Sequence, residues 1–279
     1  MPEGPEIRKA ADKLREAIVG KKVTKLTFGQ AHLQKWQDAF TGLHVDSIQT
    51  YGKAMVTRFT DTKTSSSEAL NIYTHNQLYG RWVVCPAGQI PPSNRQLRLN
   101  IQTKENWALL YSASDIFVLK DDEVSNHPFI KKLGKDVLSP ETTVDYIQKR
   151  LLSPSYLNRQ IGCFLLEQSF VAGLGNYLRC DILFTMGIHP TTKPSQLNSK
   201  QISALSKEIL RMPRQSYQTE SITNDLATVK KLMEEGSSLE NARFWVFHRE
   251  GLPCYRCGTP IIKKSIGGQP CYLCEKCQK

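Results

Sequence analysis

Four cysteines near the C-terminus carry the most specific chemical signal in the chain. Cys254-Tyr-Arg-Cys257 is followed, after sixteen residues, by Cys274-Glu-Lys-Cys277. Each C-x-x-C lets two thiolates from one tight turn grip one metal ion, and two such turns complete a tetrahedral zinc site. With cysteine at all four positions no coordination site is left for water. The spacing therefore predicts one structural Zn2+ that folds a small module and does not catalyse. Cys271 lies in the same segment at the wrong spacing and is expected to be a packed thiol. A second kind of chemistry sits at the other end. Removal of Met1 would leave Pro2 with a free secondary amine that titrates near neutrality, so that a useful fraction is unprotonated and nucleophilic. Read alone, Pro2 does no more than permit removal of Met1. Glu3 can serve as a general acid beside that amine, or as a helix N-terminal acid favoured by the macrodipole, like Glu6. Lys53, in Tyr51-Gly52-Lys53-Ala54, sits in a turn before an apolar strand, where a lone lysine is ordinarily solvated.

These residues need elements to hold them. Gly4-Pro5 opens a helix, because a proline in the first turn lacks only an N–H that has no intrahelical partner. Ile7, Ala10, Ala11, Leu14 and Ile18 then share a face, and Gly20 closes the run. From Val23 to about Ser114 the pattern is β. Val23–Phe28, Ala54–Phe59, Arg81–Cys85, Leu97–Gln102 and Trp107–Tyr111 are short, β-prone and separated by turn residues. Thr60–Glu68 reads as a polar loop. His127–Ser139, punctuated by proline and glycine, reads as a linker. Beyond it the period becomes helical. Val144, Ile147 and Leu151 lie behind a Thr142/Thr143 cap, with further helices over Arg159–Phe170, Asn176–Met186 and Ser199–Arg211, and Pro213 beyond the last. Gly267-Gly268 suits the tip of a hairpin between the cysteine pairs. The fold class is α+β and multidomain. An N-terminal β-sandwich with one long helix (residues 1–126) leads through a linker (127–140) to a helical domain (141–238) and a zinc finger (239–279).

Composition narrows the partners. The 279 residues hold 37 Lys plus Arg against 26 Asp plus Glu, a net charge of +11. Such a balance suits a polyanion, of which nucleic acid is the commonest, or a generally basic soluble protein. From Glu240 to Lys279 seven basic residues face three acids, so the zinc hairpin can grip phosphate. The N-terminal residues have no apolar run of the signal-peptide kind, and no stretch approaches the length of a membrane span. Eight cysteines, four of them paired for metal, fit a reduced compartment. A cytoplasmic, nucleoid-associated protein is expected.

Three more segments converge with the cysteines: MPEGPE at the start, THNQLYG at Thr74–Gly80 and AGLGNYLR at Ala172–Arg179. Together the four motifs, in this order, resemble the bacterial formamidopyrimidine-DNA glycosylase and endonuclease VIII family over nearly the whole chain, and its endonuclease VIII branch most. The resemblance implies a helix–two-turn–helix fold for the helical domain. It also implies a bifunctional DNA glycosylase and AP lyase. Pro2 would attack C1′ of a damaged nucleotide, Glu3 would act as the acid toward the sugar ring oxygen, and Lys53 would serve acid–base roles in elimination and touch phosphate. A glycosylase must flip its target nucleotide, and Gln77, Leu78 and Tyr79 match the wedge that fills the hole. From the residues alone they are an ordinary hairpin turn. Asn176, after a Gly-Leu-Gly turn, matches a phosphate site at a helix start, and is otherwise a simple N-cap. Lys132 matches a phosphate-contacting position, and is otherwise a solvated linker lysine.

One position departs from the family. Five residues before the third zinc cysteine, where the family carries an arginine tied to the second, δ-elimination step, this chain has Gln269, followed by Pro270. Glutamine has no charge and cannot make the bidentate clamp of a guanidinium on phosphate. Base excision and β-elimination are then retained and δ-elimination weakened, unless Lys263 or Lys264 compensates. The expected partner is damaged double-stranded DNA, bound in a basic cleft between the domains of a monomer, with an oxidised pyrimidine as the lesion. The competing readings are an oxidised-purine glycosylase of the same family, a non-catalytic zinc-finger DNA-binding protein, and an RNA- or ribosome-associated zinc protein.

Overall fold

The apolar stripe that opens the chain does form a helix. In the computed structural model, which describes residues 2–61 and 69–279, α1 (Gly4–Ile18) buries Ile7, Ala11, Leu14 and Ile18 on one face. The Glu6 carboxylate folds back to accept the N–H of Glu3 at 2.8 Å, which satisfies one donor of the frayed helix start. The polar loop expected over Thr60–Glu68 falls, from residue 62 onward, outside the described residues.

The chain divides into two compact units, Met1–Lys132 and Leu133–Lys279. In the first, the strands are β1 (Val23–Phe28), β2 (His44–Tyr51), β3 (Ala54–Thr60), β4 (Leu70–His75), β5 (Arg81–Pro86), β6 (Leu97–Thr103), β7 (Asn106–Tyr111) and β8 (Asp115–Lys120). Among the described residues they make two antiparallel sheets of four strands, in the orders β1-β6-β7-β5 and β2-β3-β4-β8. Short helices α2 (Gln37–Phe40) and α3 (Asp121–Asn126) flank them. One core joins the buried face of α1 to Phe28, Phe40, Phe59, Leu99 and Leu110. The Phe40 ring meets Phe59 edge-on at 4.9 Å. This is the expected sandwich with three strands more than the pattern showed. In β2 the register shifts between Val45 and Ser47, so the bulge breaks the period of two. In β4 four successive residues, Asn71 to Thr74, are buried, so alternation vanishes there as well.

The second unit holds α4 (Val144–Leu151), α5 (Ile161–Phe164), α6 (Asn176–Thr185), α7 (Ser199–Gln218), α8 (Leu226–Glu234) and α9 (Leu239–Ala242). Thr143 caps α4 by accepting the N–H of Tyr146 at 3.2 Å. The helix expected over Arg159–Phe170 is only the four residues of α5 followed by turns. Its backbone is satisfied otherwise. The Gln168 side chain donates to the carbonyls of Leu166 and Leu174 and accepts the N–H of Gly173. Conversely, α7 does not stop before Pro213 but runs through it, because its buried stripe of Ile202, Leu205, Ile209 and Met212 continues into Pro213 and Ser216. That packing outweighs the one backbone hydrogen bond a proline removes. At the C-terminus β9 (Ile262–Ile266) pairs antiparallel with β10 (Gln269–Leu273). Gly267 and Gly268, at φ +61° and +75°, form the two-residue turn between them, a conformation that side chains resist. Among the described residues no helix is long and apolar enough to cross a membrane.

Candidate active site and DNA-contacting elements

Pro2 is half-buried and directly precedes Glu3, the N-cap of α1, which is almost fully buried. Lys53 comes to the same place from another element. Tyr51 pairs with Ala54, so Gly52-Lys53 is a two-residue hairpin loop between β2 and β3. Gly52 supplies the positive φ (+59°) that its first position demands. Lys53 is therefore no solvated turn lysine: it is only 7% exposed. Burial holds its ammonium below the usual lysine range, while the carboxylates of Glu3 and then Glu6 pull it partly back. The start of α1 and the β2–β3 hairpin thus bring two buried groups, Glu3 and Lys53, within electrostatic reach of each other, with Glu3 next in the chain to Pro2. A lysine in such a setting can exchange a proton more readily than one in water.

Gln77, Leu78 and Tyr79, the residues expected to form a wedge, lie on the tight turn from β4 to β5. Leu78 and Tyr79 are 60% and 70% exposed, the one adjacent pair of exposed large hydrophobics among the described residues, whereas Asn76 and Gly80, which flank the Gln77–Tyr79 triplet, are buried. An exposed apolar and aromatic pair on a rigid turn is what insertion into a base stack requires. The turn is braced throughout. Gly80 donates to the Asn76 carbonyl at 2.7 Å, Ser114 donates to the Gln77 side-chain oxygen at 2.7 Å, and Arg95 donates to the Tyr79 carbonyl at 2.6 Å. Lys132 closes a short 3-10 turn, Ile130–Lys132, with its side chain exposed.

The second unit holds the remaining predicted residues. The sulfurs of Cys254, Cys257, Cys274 and Cys277 all lie within 4.8 Å of one another, and no other such metal-ligating cluster occurs among the described residues. Cys257 and Cys274 are 3.5 Å apart, Cys254 and Cys277 3.9 Å. A tetrahedron with metal–sulfur bonds of about 2.3 Å has edges of about 3.8 Å, so the cluster fits one metal ion. Cys271 is packed, as its spacing implied, with its sulfur 3.8 Å from that of Cys180. Asn176 is the first helical residue of α6 and not its cap, which is Gly175. Its amide donates to the Pro270 carbonyl at 2.9 Å, tying the helix start to the hairpin. Gln269 opens β10 opposite Ile266, fully on the surface.

Three further residues organise these sites and were not singled out by the sequence. Arg179, wholly buried, lies one turn along α6 from Asn176, within reach at the i, i+3 spacing. Its guanidinium donates to the Asn176 side chain and to the carbonyls of Pro270, Gly162 and Ile266. Arg256, between the first two cysteines, stacks on Phe184 at 4.6 Å and donates to the carbonyls of Phe184 and Thr185 at the end of α6. His75, at the end of β4, accepts the N–H of Gln77 at 3.0 Å. The LR dipeptide of the helix motif and the C-x-R-C of the first pair were visible signals for the two arginines. His75 lay inside the THNQLYG motif, but nothing in that motif marked its contact with Gln77.

Comparison with known proteins agrees with the fold and the domain order. Residues 1–114 match the formamidopyrimidine-DNA glycosylase N-terminal domain, and residues 133–227 match the formamidopyrimidine-DNA glycosylase H2TH domain. Endonuclease 8 of Shigella sonnei (strain Ss046) is 43% identical over 278 residues, and that of Enterobacter sp. (strain 638) 44% over 279, each covering 100% of both chains. Among solved structures, Lactococcus lactis Fpg in complex with abasic-site DNA superposes with a TM-score of 0.79 at 20% identity, over 99% of each chain. MutM in complex with DNA containing carbocyclic 8-oxo-G gives 0.78 at 21% identity over 100% of each. At these identities the two structures establish the fold.

Proposed function

Because the chain belongs to the formamidopyrimidine-DNA glycosylase family, and is a DNA glycosylase and AP lyase of base excision repair, we propose that Pro2, once Met1 is removed, is the amine that does both steps. The observation that carries this reading is the burial of Lys53 within the electrostatic reach of Glu3 and Glu6 at the head of α1, where Glu3 directly follows Pro2. The secondary amine attacks C1′ of the damaged nucleotide, the glycosidic bond breaks, and the base leaves with a proton. Glu3 protonates the ring oxygen as the sugar opens. The product is an iminium between Pro2 and C1′, an electron sink that acidifies the C2′ hydrogen. Loss of that proton expels the 3′ phosphate by β-elimination, and water then releases Pro2. Lys53 exchanges protons in this sequence and faces phosphate.

The substrate is duplex DNA carrying an oxidised pyrimidine. The flipped nucleotide leaves a gap that Gln77, Leu78 and Tyr79 fill, while Lys132 and the start of α6 at Asn176 take backbone phosphates. One Zn2+ on Cys254, Cys257, Cys274 and Cys277 holds the hairpin in shape and supplies no chemistry to the reaction. With Gln269 in place of a guanidinium, the strand is cut mainly by β-elimination. The bacterial relatives favour work in the cytoplasm, on nucleoid DNA.

Incubation with abasic-site duplex DNA and sodium borohydride tests the central claim, since hydride reduces the iminium to a permanent amine link. A covalent complex is expected from the mature chain, and none from Pro2→Gly or from a preparation that keeps Met1. Intact DNA binding without any trapped complex would remove Pro2 as the nucleophile and favour a zinc-finger DNA-binding protein. Parallel excision of thymine glycol and 8-oxoguanine duplexes separates the pyrimidine from the purine reading.

A further inference from the structure

The wedge turn has a backbone that side chains resist. Gln77 stands at φ +49°, in the left-handed region that glycine favours and glutamine avoids. Such a conformation persists only where its surroundings hold it. The closest support comes from His75, whose Nδ1 accepts the Gln77 N–H two residues on. An imidazole that accepts at Nδ1 carries its proton on Nε2 and is neutral. The ring itself is fixed. β4 pairs His75 with Ala54 on one side and Asp115 on the other, and the Phe129 ring packs against it edge-on at 5.1 Å. The charged groups that face it are Asp115 from β8 and Lys53 from the β2–β3 hairpin. His75 is therefore linked to both the buried Lys53 and the exposed Gln77–Tyr79 turn.

We propose that His75 is a positioning residue, whose Nδ1 sets the Gln77–Tyr79 turn in the conformation that enters the base stack. The geometry is that of an Asx-turn, in which a side-chain acceptor captures the backbone N–H two residues ahead, with a rigid ring in place of an Asn or Asp side chain. This rests on the reading of Gln77–Tyr79 as the gap-filling wedge. A ring that only packed on Phe129 would be replaceable by phenylalanine. An acceptor for Gln77 is not.

Two variants separate these roles. His75→Phe keeps an aromatic ring against Phe129 and removes the acceptor. His75→Asn removes the ring and restores an acceptor at Asx-turn spacing. Excision of an oxidised pyrimidine from duplex DNA is expected to fall about fivefold or more in His75→Phe, the scale of one lost hydrogen bond. It should recover to within about twofold in His75→Asn, while borohydride trapping on a single-stranded abasic oligonucleotide, which needs no wedge, stays near wild type in both. Thermal unfolding of each variant checks that the fold is kept. Fluorescence of 2-aminopurine beside the lesion reports gap filling without turnover, so it decides the proposal even for a wild-type chain that traps nothing, a result that would count against Pro2 alone. Wild-type excision and fluorescence in His75→Phe would overturn the proposal. So would an equal loss of single-strand trapping, which would place His75 at the amine site.

Discussion

Replacing Gly80 with alanine tests how tightly the wedge turn is built. Gly80 is at ordinary, non-positive φ, so the effect is one of space and not of backbone preference. A Cβ at this position would lie 2.5 Å from both the Cα and the carbonyl oxygen of Asn76 and 2.9 Å from its carbonyl carbon. Ordinary contacts between such atoms need about 3.5 Å or more, so the two backbones must part by close to an ångström. Neither can yield freely. Asn76 follows β4, whose last residue pairs with Ala54 and Asp115, and Gly80 precedes β5, whose first residue pairs with Tyr111. The turn must open, and the 2.7 Å bond from Gly80 to the Asn76 carbonyl goes with it. Overpacking of this kind costs about 1–3 kcal/mol, and the lost bond lies within that range. The midpoint of thermal unfolding should drop by roughly 3–10 °C. Because the same movement displaces Gln77 to Tyr79, excision from duplex DNA should fall by about tenfold or more. Single-strand trapping at the amine should be spared. Calorimetry and a duplex excision assay, run side by side, read both. An alanine variant with unchanged midpoint and unchanged excision would falsify the account of the turn.

Other measurements probe the remaining sites. Burial puts the folded-state value of Lys53 below its ordinary 10.5, so between the two values the unfolded chain binds more protons and stability rises with pH. Denaturant titrations should show a steeper alkaline rise in wild type than in Lys53→Met; equal slopes would mean that Lys53 titrates as if in water. Metal analysis should find one zinc per chain and none in Cys274→Ala, whose affinity for duplex DNA should fall about tenfold or more as the hairpin loosens. Retained affinity in the metal-free variant would separate the cluster from DNA binding. Gel analysis of cleaved strands should give mainly the unsaturated β-elimination end, shifting toward 3′ phosphate in Gln269→Arg. Mostly 3′ phosphate from the wild type, equal to that variant, would show that glutamine suffices or that Lys263 or Lys264 compensates.

What was legible in the sequence follows from how local each signal is. Spacing within one turn foretold the sulfur cluster, and a 3.6-residue stripe foretold α1, α4 and the first half of α7, because those patterns report a single element and the face it buries. The Gly52-Lys53 turn was equally visible. The burial of Lys53 was not, since it depends on α1 delivering Glu3 and Glu6 to the same place. His75 escaped for a similar reason: a histidine at a strand end looks like any other until the turn it braces is seen. The false helix over Arg159–Phe170 is instructive. Its residues have adequate helical pattern, but beyond Phe164 the Gln168 side chain supplies backbone partners that a helix would have supplied to itself. Tertiary contact overrode propensity there, as it did in the opposite sense at Pro213.

The short helix α6 has a bearing on how the molecule ages. At ten residues it is about 15 Å long and too short to bend appreciably. At its start, Asn176 and Arg179 hold the Pro270 carbonyl, and at its end Arg256 of the first cysteine pair grips its last carbonyls. Whatever disturbs the thiolates is therefore reported at the far end of a stiff rod, the end proposed above to take phosphate. Thiolates are also groups that oxidants attack readily, and the oxidised pyrimidines proposed as this enzyme's substrate are made by oxidants too. On that reading a chain injured in the same chemical weather as its substrate would lose its hold on DNA while Pro2, at the head of α1, stayed intact. Such a damaged enzyme would fail by letting go of the genome, not by nicking it unguided.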